Sequence, residues 1–231
     1  MKVISKRHIH HFLYKIRDIL LTRKQKQMKM KKITTKITAI AIVLAAFILT
    51  ATTAVVKAQV NYKLSSGKDV NIKVLGTSNV HDWTMASSKI ESQGEFKVEG
   101  EVLRALSSFT LSLEAKSLKS EHELMDTRTY KAIKADQYPK ITYKLIAATI
   151  TQVQKGKYAI KTTGDLTIAG ASQNITMMVT AVVNADNTIT CTGSENLKLT
   201  DYKIDPPSFM LGAMKVKNDI TIQFNLVYKN N

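Results

Sequence analysis

The chain has 231 residues, 44% of them hydrophobic, and a formal net charge of +16. Of its 34 basic and 18 acidic side chains, 13 basic and one acidic fall in residues 1–58, leaving 21 against 17 and a net charge of +4 for the rest. The body is therefore a mildly basic domain without a basic stripe of interleaved aromatics, which argues against nucleic-acid binding, and its size fits one domain with a sizeable core.

The N-terminal stretch Met1–Gln27 holds Lys6-Arg7-His8-Ile9-His10-His11 and the patterned run Phe12–Arg17. A His-x-His-His cluster suits a metal and a basic amphipathic helix suits a membrane surface. The plainer readings are a start at Met28 or Met30, or a long basic n-region, and no function is assigned to this stretch. From Met30 to Lys36 the chain is basic, and Ile37–Leu49 is apolar apart from Thr38. Val56-Lys57-Ala58 then offers compact residues for cleavage before Gln59, the layout of a secretory signal peptide. The competing reading is a retained anchor, because Ile37–Val56 reaches the length of a bilayer span. The expected organisation is thus an extension plus signal peptide over 1–58 and one barrel domain over 59–231. The mature protein is expected in the periplasm or outside the cell, with no stable membrane span after cleavage. No cysteine near Ala58 supports lipid anchoring.

Beyond Val60 the dominant signal is period-2 alternation, the mark of strands with one buried face. Asp69–Gly76 sets Val70, Ile72 and Val74 on one side. Gly76–Met85 follows, holding the only tryptophan, Trp83, and one of two histidines outside the N-terminal segment, His81. Neighbours in a strand point to opposite faces, so His81 and Asp82 do not read as a catalytic dyad. Trp83–Val98 reads as one long, less regular strand with a bulge at Gly94. Phe109–Ala115, Ile141–Leu145, Tyr158–Ile168 and Ile220–Tyr228 alternate cleanly. Lys155-Gly156, Gly170 and Asn184–Asn187 read as hairpin turns.

Glu121–Ala135 breaks the alternation with helical spacing. Ser120 and Glu123 are placed to form a capping box, and Pro139 ends the segment. Pro206–Met214 is irregular and oily, suited to folding over an apolar surface. The single cysteine, Cys191, excludes an intramolecular disulfide and a Cys-based zinc site. A buried inert thiol is the expected state, with a dimer-forming thiol as the alternative and a homodimer left open. The fold class is all-β, roughly eight antiparallel strands closed as a barrel, with one short helix near one end.

Four pieces in order, Gly76–Met85, Leu124–Tyr143, Gly164–Gly170 and Met210–Phe224, resemble the YceI-like domain, a periplasmic family known for binding lipids or polyisoprenoids. The resemblance spans nearly all of residues 60–228 and looks closest to a His-Asp-Trp branch. His81-Asp82 stands where many members carry His-Ser, and Tyr130 and Ile133 stand where phenylalanines are frequent. The resemblance implies a lipocalin-like, elongated barrel whose apolar interior holds a long isoprenoid or acyl chain. It implies a lipid ligand. From the residues themselves no cofactor, metal or catalytic residue is expected, since only His81 and His122 remain after cleavage and no paired-cysteine pattern appears.

An eight-stranded barrel is near the size where the interior either fills with side chains or holds one small ligand. The candidate lining is Val74, Trp83, Phe109, Leu111, Leu113, Tyr143, Ile160, Leu166, Met177 and Phe224. Phe209, Met210 and Met214 are candidates for an adaptable gate. His81, Asp82, Arg128 and Tyr130 are the candidate rim or headgroup contacts. The alternatives are a closed barrel with a filled interior and a hydrolase-like enzyme, for which the mature chain shows no Gly-x-Ser-x-Gly or His-Glu-x-x-His pattern.

Overall fold

The computed structural model describes residues 22–31, 60–67, 70–209 and 211–230. The chain divides into two units, Met1–Lys57 and Ala58–Asn231. Residues 22–31, which include Met28 and Met30, are helical. The apolar run and the cleavage motif lie outside the described residues. Among the described residues no helix is long and apolar enough to cross a membrane.

The second unit is built from β1 (Val60–Leu64), β2 (Asn71–Ser78), β3 (Asp82–Ser87), β4 (Ile90–Glu99), β5 (Val102–Glu114), α1 (Glu123–Ala132), β6 (Lys140–Gln154), β7 (Lys157–Ile168), β8 (Ala171–Val183), β9 (Ile189–Lys198), the two-residue β10 (Ser208–Phe209) and β11 (Met214–Asn230). All the pairings are antiparallel, and β1-β4-β5-β6-β7-β8-β9-β11 close into a ring of eight through β11 on β1. β11 runs for 17 residues. That length lets one edge serve two partners: Val216–Asn225 pairs with β2, and Tyr228–Asn230 with β1.

The expected long strand over 83–98 is two strands with different duties. β3 folds back on β2 as a hairpin beside the ring, whereas β4 joins the ring between β1 and β5. The inward side slips by one residue across Ser88-Lys89, from Met85 and Ser87 to Ile90 and Phe96, and a single strand with a bulge gives the same slip, which is why periodicity alone merges them. Gly94 keeps register with Tyr62 and Phe109, and the irregularities lie just after it, at Glu95/Phe96 and Lys97/Val98. The three expected hairpin turns are present, with Gly156 and Gly170 at positive φ, +72° and +77°.

The capping box is also corrected. His122 is the residue before α1 and makes no side-chain cap, while Ser120 donates through its N–H and hydroxyl to the Asp126 carboxylate at 2.7 and 2.8 Å. Lys119 pairs with the other Asp126 oxygen at 3.2 Å. Burial pushes the Asp126 carboxyl up, but the Ser120 and Lys119 contacts outweigh it and hold it below its ordinary value.

One end of the barrel is plugged by aromatic rings. Tyr62 meets Phe96 edge-on at 5.4 Å, Phe96 meets Tyr228 at 5.6 Å, and Phe109 continues the series toward Tyr143. These separations fall in the favourable range for ring pairs. Tyr228 shares a 2.8 Å hydrogen bond with Ser92, and Tyr158 donates to the Glu101 carbonyl at 3.2 Å. At three inward positions glycine makes room for a ring. A Cβ at Gly76, Gly164 or Gly193 would lie within 2.5 Å of Trp83, Tyr143 or Phe224 respectively.

Candidate functional site

Beyond the aromatic plug the barrel interior opens into a cavity of about 200 Å³. This exceeds the ~150 Å³ of an apolar cavity that accepts a benzene ring. Its wall combines inward residues of β2 to β9 and β11 with Leu118, Tyr202 and Ile204. All ten predicted lining residues, Val74, Trp83, Phe109, Leu111, Leu113, Tyr143, Ile160, Leu166, Met177 and Phe224, lie on this one wall. The interior is not filled by side chains.

A second cavity of about 290 Å³ forms a vestibule between α1, the β2–β3 turn and the segment leading into β11. Trp83, Thr129, Ile133, Leu199 and Ile204 belong to both walls, so they form the junction between the two spaces. Phe209 and Met214 line the vestibule, as do His81, His122 and Arg128. The Arg128 guanidinium stacks on the Phe209 ring at 4.0 Å, tying helix to loop. Met210 lies outside the described residues.

Two predicted rim residues are placed elsewhere. Asp82 is exposed and off both walls, and the Tyr130 hydroxyl donates to the Lys116 and Leu118 carbonyls at 2.9 and 2.7 Å. The β2–β3 turn is fixed by Ser78, whose hydroxyl donates to the His81 carbonyl and accepts from the N–H groups of Val80 and His81. His81 Nδ1 donates to the Asp82 backbone carbonyl at 2.9 Å rather than to a carboxylate. Asn79 clamps this turn to the β11 entry through Ala213 and Lys215.

Several wall residues escaped the sequence reading. Glu195 follows Cys191 and Gly193 at period 2 on β9, so extending the alternation would have found it. Burial pushes its carboxyl up. Tyr202 sits in a 3-10 turn, Leu199–Tyr202, where no periodicity marks it. Burial, with the charges of Asp201 and Glu195 nearby, pushes its phenol up to about 12. Cys191 is buried, and its thiol is pushed up to about 12. Among the described residues no three metal-ligating side chains gather.

The YceI-like domain model matches residues 74–228, most of the chain and nearly the whole ring. This protein belongs to the YceI-like family. Its fold is similar to that of Burkholderia cenocepacia BcnA, at 22% identity and TM-score 0.52, covering 68% of this chain and 95% of that one. It is also similar to a polyisoprenoid binding domain from Saccharophagus degradans implicated in plant cell wall breakdown. There the identity is 11% and the TM-score 0.55, covering 74% of this chain and 99% of that one. No curated protein matches this YceI-like chain.

Proposed function

We propose that this YceI-like protein carries or sequesters a long-chain amphiphile, a polyisoprenoid, isoprenoid quinone or fatty-acyl lipid, outside the cytoplasm. The tail occupies the central cavity and the polar end faces the vestibule. The observation that carries this reading is a space of about 200 Å³ walled almost wholly by apolar side chains and joined to a polar-edged vestibule. Each methylene taken from water contributes about 0.8 kcal/mol, so a long tail binds usefully without any distinctive polar motif. The Saccharophagus domain of the same fold, named for polyisoprenoid binding, supports this ligand class.

His81 and Arg128 are the rim contacts in this reading, and Phe209 with Met214 forms the adaptable edge. No residue is assigned to catalysis, and the protein is a binding protein rather than an enzyme. Export by a signal peptide cleaved after Ala58 completes the proposal, and the N-terminus of protein recovered from its own host checks it: Gln59 is expected. Native mass spectrometry of that protein, followed by organic extraction, tests the ligand. A lipid adduct is expected. No extractable lipid together with no binding across a lipid panel defeats the proposal. The same spectra report whether the protein is a homodimer.

A further inference from the structure

The vestibule and the central cavity differ in charge. The vestibule wall carries one arginine, Arg128, two imidazoles, His81 and His122, and no carboxylate. The central wall carries one carboxyl, Glu195, and no cation. Acids close to the vestibule in sequence do not reach it. Asp126 is taken up by Ser120 and Lys119, and Asp82, Glu121, Glu123 and Asp205 are exposed and off its wall. On α1 the residues Leu124, Met125, Arg128, Thr129 and Ala132 share the face turned to this space, as their spacing of three and four requires.

Arg128 is half-buried, and among the described residues its guanidinium has neither a carboxylate partner nor a hydrogen-bond acceptor. Arg104, by contrast, reaches Glu99 at 3.3 Å. Stacking on the Phe209 ring at 4.0 Å positions the Arg128 fork without using its N–H groups. The Thr129 hydroxyl lies on the same wall, also without a hydrogen-bond partner among the described residues. A charge drawn partly out of water without a counter-charge is unfavourable, and a ring face offsets only part of that cost. The fork matches a carboxylate or a phosphate through paired N–H donors. A neutral head would leave the charge unmet, and a cationic head would be repelled.

We propose that the vestibule selects an oxyanion head, a fatty carboxylate or a phosphate monoester, seated on Arg128 with the Thr129 hydroxyl beside it. This rests on the reading of the barrel as an amphiphile binder and adds the charge of the amphiphile. Glu195 and the apolar central wall keep that head from following its tail inward.

The test compares probes with one tail, dodecanoate, dodecyl phosphate, dodecanol and dodecyltrimethylammonium, titrated calorimetrically below their micelle concentrations. The proteins are the parent and its Arg128→Gln and Arg128→Lys variants, each first shown by thermal melting to be folded. Dodecanoate or dodecyl phosphate is expected to bind at least about tenfold more tightly than dodecanol, and the tighter of the two names the head. Arg128→Gln is expected to bring the ratio of anion to alcohol affinity below about threefold, with Arg128→Lys, which keeps the charge but not the fork, between it and the parent. Should Arg128→Gln not fold, the parent's ratio and that of Arg128→Lys carry the test. Equal binding of anions and alcohol overturns the inference, as does tightest binding of the ammonium. An unchanged ratio in folded Arg128→Gln also overturns it, because the arginine then only braces Phe209. Acetate and inorganic phosphate lack the tail, and their binding as tightly as the dodecyl anions would overturn it too. If no dodecyl compound binds, the amphiphile reading falls with it; if all bind alike, that reading survives alone.

Discussion

Val179→Trp tests the cavity most directly. Val179 lines the central cavity on β8, between Ile160 on β7 and Gly193 on β9. An indole there projects into a space of about 200 Å³. If it displaces about four methylenes of tail at ~0.8 kcal/mol each, binding weakens by about 3 kcal/mol, roughly 200-fold in Kd. Overpacking adds a stability cost of about 1–3 kcal/mol, so thermal melting and circular dichroism come first, to show a folded variant. Displacement of a fluorescent fatty acid then reads affinity. Met178→Trp is the matched control, because Met178 is 57% exposed on the outer face of the same strand. It is expected to bind as the parent does. Unchanged affinity in a folded Val179→Trp protein, or an equal loss in Met178→Trp, would refute the tail assignment.

Asp126→Asn removes the charge that Ser120 and Lys119 hold, and is expected to destabilise by about 2 kcal/mol at pH 7 in urea unfolding. The native carboxyl is held below its ordinary 3.8, so this stability is present above that value and lost as pH falls through the lower native one. The parent's margin over the variant should therefore shrink in acid, and a margin constant with pH contradicts the account. Glu195 is the opposite case, because burial raises its carboxyl above the ordinary 4.5. Its penalty sets in as pH rises through 4.5, so Glu195→Gln should melt higher than the parent at pH 7 and alike at pH 3. Gly76→Ala would place a Cβ 2.1 Å from the Trp83 ring. A loss of about 1–3 kcal/mol is expected, with a shifted emission from the single tryptophan; parent-like emission and stability would speak against it. The Cys191 thiol should resist Ellman's reagent in the native protein and react once unfolded, and prompt native reaction would show it is not buried.

Much of the wall was legible because a strand with one buried face repeats every two residues. Phe109-Leu111-Leu113 and Ile220-Ile222-Phe224 announce their inward side without any knowledge of their neighbours. The break between β3 and β4 was not legible, since the one-residue slip in alternation from Met85 to Ile90 is also what a bulge within one strand produces, and only the pairing shows that the chain changes partners. The Asp126 cluster was hidden for a related reason. Ser120 and Glu123 have the spacing of a capping box, and only the packing of α1 shows that Ser120 serves a buried carboxylate instead.

The sequence by itself determined most of the strand runs with their inward faces, the hairpin turns and the family. Each follows from local backbone preference or from residues close in the chain. Whether the inward faces enclose space was decided by tertiary structure alone. Closure through β11 on β1, rings laid over Gly76, Gly164 and Gly193, and Tyr202 carried in by a 3-10 turn depend on segments far apart in sequence. Alternation gives the direction of a side chain; the volume left between opposing walls depends on how all the walls meet.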